Sequence, residues 1–192
     1  MRELERAAKS WQALLQGSEA ETADDYFDQE VMPLSCQRFV SKYQNGKLPH
    51  YYGLFVLLET AWQPLALAVA ALRPENVHII ATKAGMPQME KMMRFLPLAP
   101  DQYIATLVGS NDAAAVCRVI KKQYDIWESA GHCAMDVTGG RKGMYAAAAM
   151  MAAVLDVDAF YVDGSPLPGS EHFLRGSEHL EKLPNPRTLL NF

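Results

Sequence analysis

The sequence has only three cysteines, at positions 36, 117 and 133, and they are unclustered. That spacing gives neither a disulfide framework nor a zinc site, so free thiols in a reducing cytoplasm are expected, with no metal and no other cofactor. Membrane-length apolar runs are also missing. Each hydrophobic stretch meets Arg, Glu or Pro before the ~20 residues a spanning helix needs. The start, Met1-Arg2-Glu3-Leu4-Glu5-Arg6, is charged and helix-like rather than a secretory leader. There is no excess of positive charge: 18 Lys plus Arg stand against 22 Asp plus Glu, a formal net charge of −4. A protein that binds duplex nucleic acid nonspecifically is usually basic, so any polyanion bound here must meet a local positive site. Two nucleotide signatures are absent as well. Where Gly-x-Gly-x-x-Gly would follow a first strand the chain reads Leu58-Glu59-Thr60-Ala61-Trp62, and no Gly-Lys is followed by Ser or Thr. Hydride transfer and P-loop hydrolysis of ATP both lose support.

What is present is an alternating pattern. Leu4, Ala7, Ala8, Trp11, Leu14 and Leu15 share one helical face over residues 2–17, and Gly17 can end that helix. Residues 22–45 form a second helical region that Pro33 should bend or divide. Residues 1–48 are therefore expected to be an N-terminal helical appendage packed on the core, and residues 49–192 the main domain. From Tyr51 the order is strand, helix, strand, helix: strands at 51–58, 77–81, 103–108, 132–137 and 159–162, and helices at 62–72, 86–95, 112–127 and 141–155. This predicts an α/β, Rossmann-like, doubly wound and mainly parallel sheet. The helix at 141–155 is rich in Ala and Met and apolar on all sides, so it is expected to be buried. Beyond Ser165, Pro166, Pro168, Gly169, Pro184 and Pro186 predict an irregular tail with an edge strand near 180–183.

The segment Met135-Asp136-Val137-Thr138-Gly139-Gly140-Arg141-Lys142-Gly143-Met144 reads as a strand end, a two-glycine turn and two cations on the first turn of a helix. Bare glycines admit close backbone approach, and a helix start offers unpaired N–H donors and a positive dipole end. Such a turn is either a plain strand-to-helix connection or a holder of phosphates. Its place favours the second: with a strand order like 3-2-1-4-5, ligands sit beyond the carboxyl ends of the first and fourth strands. That crevice would be lined by Glu59-Thr60-Ala61-Trp62 and by Thr138-Gly139-Gly140-Arg141-Lys142.

Other candidates read more plainly. Only three residues separate Arg175 from His179, fewer than a ribonucleolytic pair on a helix needs, so this segment is expected to be a solvated tail. His172 and His179 have no third ligand nearby. His132 and Cys133 are expected in the core, and Trp62 either packs on the sheet or stacks on a base.

The stretch from Asp136 to Met144 resembles the Thr-Gly-Gly-Thr-Lys-x-Met motif of CARF domains, the CRISPR-associated Rossmann-fold sensors of type III immunity. Residues Tyr52 to Pro64 and Ala71-Leu72-Arg73-Pro74-Glu75-Asn76-Val77-His78 are similar to the first strand, helix and second strand of CARF domains in HEPN-type ribonucleases. Pro168-Gly169-Ser170-Glu171 and Leu183-Pro184-Asn185-Pro186 resemble the closing segment. The resemblance implies a cytoplasmic homodimer that binds a cyclic oligoadenylate of four or six adenosines across its two-fold axis. It implies that Thr60, Ala61, Trp62, Thr138, Gly139, Gly140, Arg141, Lys142 and Met144 line the ring. CARF domains usually control a fused C-terminal effector, and none fits after residue 165. Two departures stand out. The second Thr of the motif is Arg141 here, and the first-strand loop carries Glu59 and Ala61 where Gly and Ser are usual. A carboxylate near phosphates repels them unless Arg141 pairs with it. The rival expectation is a stand-alone, metal-independent ring nuclease. In it a ribose 2′-hydroxyl attacks the adjacent phosphate, Lys142 and Arg141 stabilise the developing charge, and Glu59 serves as base. A Rossmann enzyme acting on a mononucleotide is a third reading.

Overall fold

The computed structural model describes residues 2–17, 20–44, 46, 48–166 and 173–190. The chain divides into two compact units, one of residues 1–47 with 163–179 and the other of residues 48–162 with 180–192.

In the first unit, helix α1 (Arg2–Gln16) buries Leu4, Ala7, Ala8 and Trp11 on the face its periodicity marked out. The second helical region changes its winding just before Pro33. Helix α2 (Ala20–Tyr26) passes through a single π-turn at Phe27–Val31 into α3 (Met32–Ser41) with helical backbone at both joints, and the proline sits in the first turn of α3. There the missing N–H costs no helical hydrogen bond. The segment after Ser165 departs from expectation. Arg175 is almost fully buried, paired with Glu178 at 3.2 Å, and its guanidinium lies over the rings of Phe27 and Trp11 at 4.4 and 5.2 Å. A delocalised cation on two aromatic faces, paired with a buried carboxylate, is a packing element and not a solvated one. The Pro168-Gly169-Ser170-Glu171 stretch and His172 lie outside the described residues.

The second unit carries the alternating pattern. Its strands are β1 (Gly53–Leu58), β2 (Asn76–Ala81), β3 (Tyr103–Leu107), β4 (Cys133–Asp136) and β5 (Asp158–Asp163), with β6 (His179–Lys182) completing the sheet. The connecting helices are α4 (Gln63–Leu72), α5 (Met86–Phe95), α6 (Ala113–Trp127) and α7 (Lys142–Leu155), followed by the short α8 (Pro186–Leu190). The strand order is β3-β2-β1-β4-β5-β6, and the first five pair in parallel. All residues of β1 and β4 are buried, as central strands covered on both faces must be. β3 is an edge strand and leaves Ile104 and Leu107 exposed. Asp112 caps α6, its carboxylate accepting the Ala115 N–H at 2.8 Å. Among the described residues no helix is long and apolar enough to cross a membrane.

Helix α7 corrects a reading. It was expected to be buried on all sides because it is apolar on all sides. It buries Met144, Ala147, Ala148 and Ala152 but leaves Tyr145, Met150 and Val154 at 42%, 60% and 66% exposure. Residues four apart share a face, so Met150 and Val154 lie together on the outer side of the helix, while Tyr145, five residues before Met150, is exposed on another face. His132 likewise stands just outside β4 and is exposed, while Cys133 beside it is buried.

Candidate ligand-binding site

The site forms where the strand order turns. β1 and β4 are neighbours, and the winding reverses between them, which is where open α/β sheets place a ligand crevice beyond the carboxyl ends of the strands. Val56 pairs with Asp136, so β1 continues two residues past the end of β4. The chain after β4 must therefore turn across the tip of β1. It does so at Gly139, where a β-carbon would stand 1.9 Å from the Leu57 carbonyl oxygen. Gly140 takes φ +83°, a left-handed conformation that side chains with a β-carbon resist. Both glycines are thus required by the path of the backbone.

Arg141 is the N-cap residue of α7, in extended conformation, and no side chain caps the helix. The N–H groups of the first turn point toward the crevice end of the sheet, where the helix dipole favours an anion. Lys142 is exposed and has no ion-pair partner among the described residues. The pairing that the sequence required is present: Arg141 Nε donates to Glu59 Oε1 at 2.8 Å, and the Thr82 hydroxyl approaches the same oxygen at 3.5 Å. The Glu59 side chain is 3% exposed and that of Arg141 is 57% exposed. Glu59 thus sits beneath the crevice with its charge answered, and Arg141 keeps its outer N–H groups toward solvent.

Thr138 is held from below. Asp136 Oδ1 accepts the Thr138 N–H at 2.7 Å and also its hydroxyl, whose oxygen accepts the Val162 N–H at 2.8 Å. Asp136 is 1% exposed, and burial pushes its carboxyl up to about 7 although the two bonds from Thr138 pull the other way. Nothing in the sequence pattern had marked Asp136 out. The only signal was an acidic residue ending an otherwise apolar strand.

The expected lining residues fall into two groups. Thr60, Ala61, Arg141 and Lys142 are exposed, and Thr138, Gly139 and Gly140 are partly so. Trp62 and Met144 are turned inward. Trp62 is 1% exposed and its ring packs on Phe95 at 5.3 Å between centroids, while Met144 is fully buried in the core beside Ala147 and Ala148. Trp62 therefore packs and does not stack on a base, because the first turn of α4 carries its ring down against α5. Met144 takes the inward face of α7 by helical spacing and can offer a ligand only its backbone. Among the described residues no group of three or more His, Cys, Asp or Glu stands together as metal ligands would.

Solved structures share this architecture. Can2 from Sulfobacillus thermosulfidooxidans, in complex with cyclic tetra-adenylate, matches with a TM-score of 0.51 at 20% identity, over 58% of this chain and 32% of Can2. The likeness is one of fold, an α/β Rossmann-like, mainly parallel sheet with flanking helices. Csm6 from Enterococcus italicus, bound to cyclic hexa-2'-fluoro-hexa-dAMP, matches with a TM-score of 0.48 at 13% identity, over 67% of this chain and 37% of Csm6. The chain thus spans about a third of the length of these two proteins. No family model matches the sequence, and no curated protein does. Within this fold, Glu59, Arg141 and the glycine turn meet at the carboxyl ends of β1 and β4.

Proposed function

We propose that this chain is the sensor domain of a type III CRISPR defence protein, and that it binds a cyclic oligoadenylate of four or six adenosines across a homodimer axis to control a fused effector. The observation that carries this reading is the uncapped start of α7 over the Gly139–Gly140 turn, with Lys142 exposed at the switch point of the sheet and without an ion-pair partner among the described residues. A ring of phosphates needs several donors at once, and two copies of one loop related by two-fold symmetry supply them in a matching arrangement. The exposed pair Met150 and Val154, four residues apart on α7, supports the dimer as an apolar face that a second copy would cover. The ligand bound by Can2 is of the same class.

Cleavage of the ring receives less support. Glu59, the residue that could act as base, lies under Arg141 with its Oε1 engaged, and no histidine stands at the crevice among the residues placed there. Lys142→Ala tests the reading. Affinity for cyclic tetra-adenylate is expected to fall by about 1–3 kcal/mol, the range for a charge-assisted hydrogen bond. The salt dependence should flatten too, because one fewer cation releases counterions. Equal binding by wild type and variant at low salt would remove Lys142 from the site. Incubation with EDTA present, followed by separation of products, reads turnover in the same sample. Rapid formation of a 2′,3′-cyclic phosphate would replace the sensor with a ring nuclease.

A further inference from the structure

The Thr138 hydroxyl is engaged on both sides by the protein itself. Its proton goes to Asp136 Oδ1 and its oxygen accepts the Val162 N–H of β5. A hydroxyl has one proton to donate. A phosphate ring presents mainly acceptors and needs donors, and Thr138 has none left to give. Asp136 in turn engages Thr138 through Oδ1 alone, while its Oδ2 is buried without a hydrogen-bond partner among the described residues. Keeping a carboxylate buried with so few partners is costly. The one thing this one does is hold Thr138. The residue it holds opens the turn in which Gly139 meets the tip of β1 and Gly140 adopts positive φ.

We infer that Asp136 is a positioning residue for the ligand loop: through Thr138 it ties the start of the turn to β4 and β5 and so fixes the backbone donors of the α7 first turn before a ligand arrives. This rests on the binding function proposed above and deepens it. Fixing a loop in its bound shape raises affinity by lowering the ordering cost on binding. The role differs from that of Lys142 in a measurable way. Asp136 neutralises no phosphate, so removing its grip weakens binding by the same factor at every salt concentration, whereas Lys142→Ala changes the slope.

The test uses the full chain, cyclic tetra-adenylate and three variants: Thr138→Val, Asp136→Ala and Asp136→Asn. Thr138→Val and Asp136→Ala are expected to bind about tenfold more weakly with an unchanged slope of log affinity against log salt. Asp136→Asn, whose amide oxygen can accept both Thr138 hydrogens, should stay within about twofold of wild type. Amide exchange at Gly139, Gly140 and Arg141, read by NMR without ligand, should quicken in Thr138→Val. Wild-type affinity in Thr138→Val would overturn the inference. So would a flattened slope in that variant, which would make Thr138 a direct phosphate contact. If Asp136→Ala does not fold, Thr138→Val decides, since it removes only a hydroxyl. Should the wild type bind neither cyclic tetra- nor cyclic hexa-adenylate, the sensor reading falls and the exchange rates still judge the positioning role: unchanged rates in Thr138→Val overturn it.

Discussion

Gly139→Ala is expected to cost more stability than any other single methyl group added to the glycine turn. The new β-carbon would lie 1.9 Å from the Leu57 carbonyl oxygen and 3.0 Å from its carbon, both backbone atoms of the central strand β1. Leu57 pairs with Ile80 of β2, so neither atom can retreat without loosening the β1–β2 ladder, and a rotamer change does not relieve the strain. Overpacking of side chains costs about 1–3 kcal/mol, and a clash with fixed backbone belongs at or above the top of that range. At this chain length a loss of about 3 kcal/mol lowers the melting temperature by about 6–12 °C. Gly143→Ala is the internal control. A β-carbon there meets nothing within 4 Å, and the residue lies in the first turn of α7. It should be neutral or gain up to about 1 kcal/mol from reduced backbone freedom in the unfolded chain. Equal melting temperatures for the two variants, read by circular dichroism, would contradict the close approach of the turn to β1.

The second large effect belongs to Asp136 and depends on pH. Its carboxyl is raised by burial to about 7 in the folded protein, far above the usual carboxylate value. Between about pH 4 and about pH 7 the folded state therefore binds more protons than the unfolded state, and stability falls as pH rises through that window. Above it the penalty is complete. About three pKa units correspond to an upper limit of about 4 kcal/mol. Asp136→Asn keeps the acceptor for Thr138 and removes the charge. Its stability relative to the wild type should rise by about 2–4 kcal/mol between about pH 4–5 and about pH 8. Urea denaturation of both proteins across this range gives the answer. Parallel stability profiles would mean that Asp136 is not held as a buried acid.

Much of the fold was readable because the core strands behave alike. β1 is apolar throughout and β4 nearly so, as in strands covered on both faces, and the helices between them open and close at Asp112, Pro64 and the residues around Arg141. The glycine turn was readable for the same reason, since two adjacent glycines before two cations have few structural uses. The pairing of Arg141 with Glu59 was open in the sequence, where it stood only as the condition for a carboxylate to lie beside phosphates. The inward turn of Trp62 and Met144 was not readable, because facing depends on which side of α4 and α7 meets the sheet. The apolar outer face of α7 was hidden in a run of alanines and methionines that carries no helical contrast. The Arg175–Glu178 pair looked like a solvated tail because loop composition says nothing about burial over Trp11 and Phe27. Asp136 escaped notice because its partner Thr138 and the Val162 N–H that Thr138 accepts come together only after β4 and β5 pair.

The most direct measurement is a calorimetric titration of the full chain with cyclic tetra-adenylate and with cyclic hexa-adenylate at about 50 mM salt, where phosphate contacts are strongest. Saturable binding of one of the two rings is expected, with one ring taken up per two chains and an affinity that weakens as salt is raised. Absence of binding heat for both rings under these conditions, or uptake of one ring per single chain, would contradict a sensor built from two copies of the Thr138–Lys142 loop.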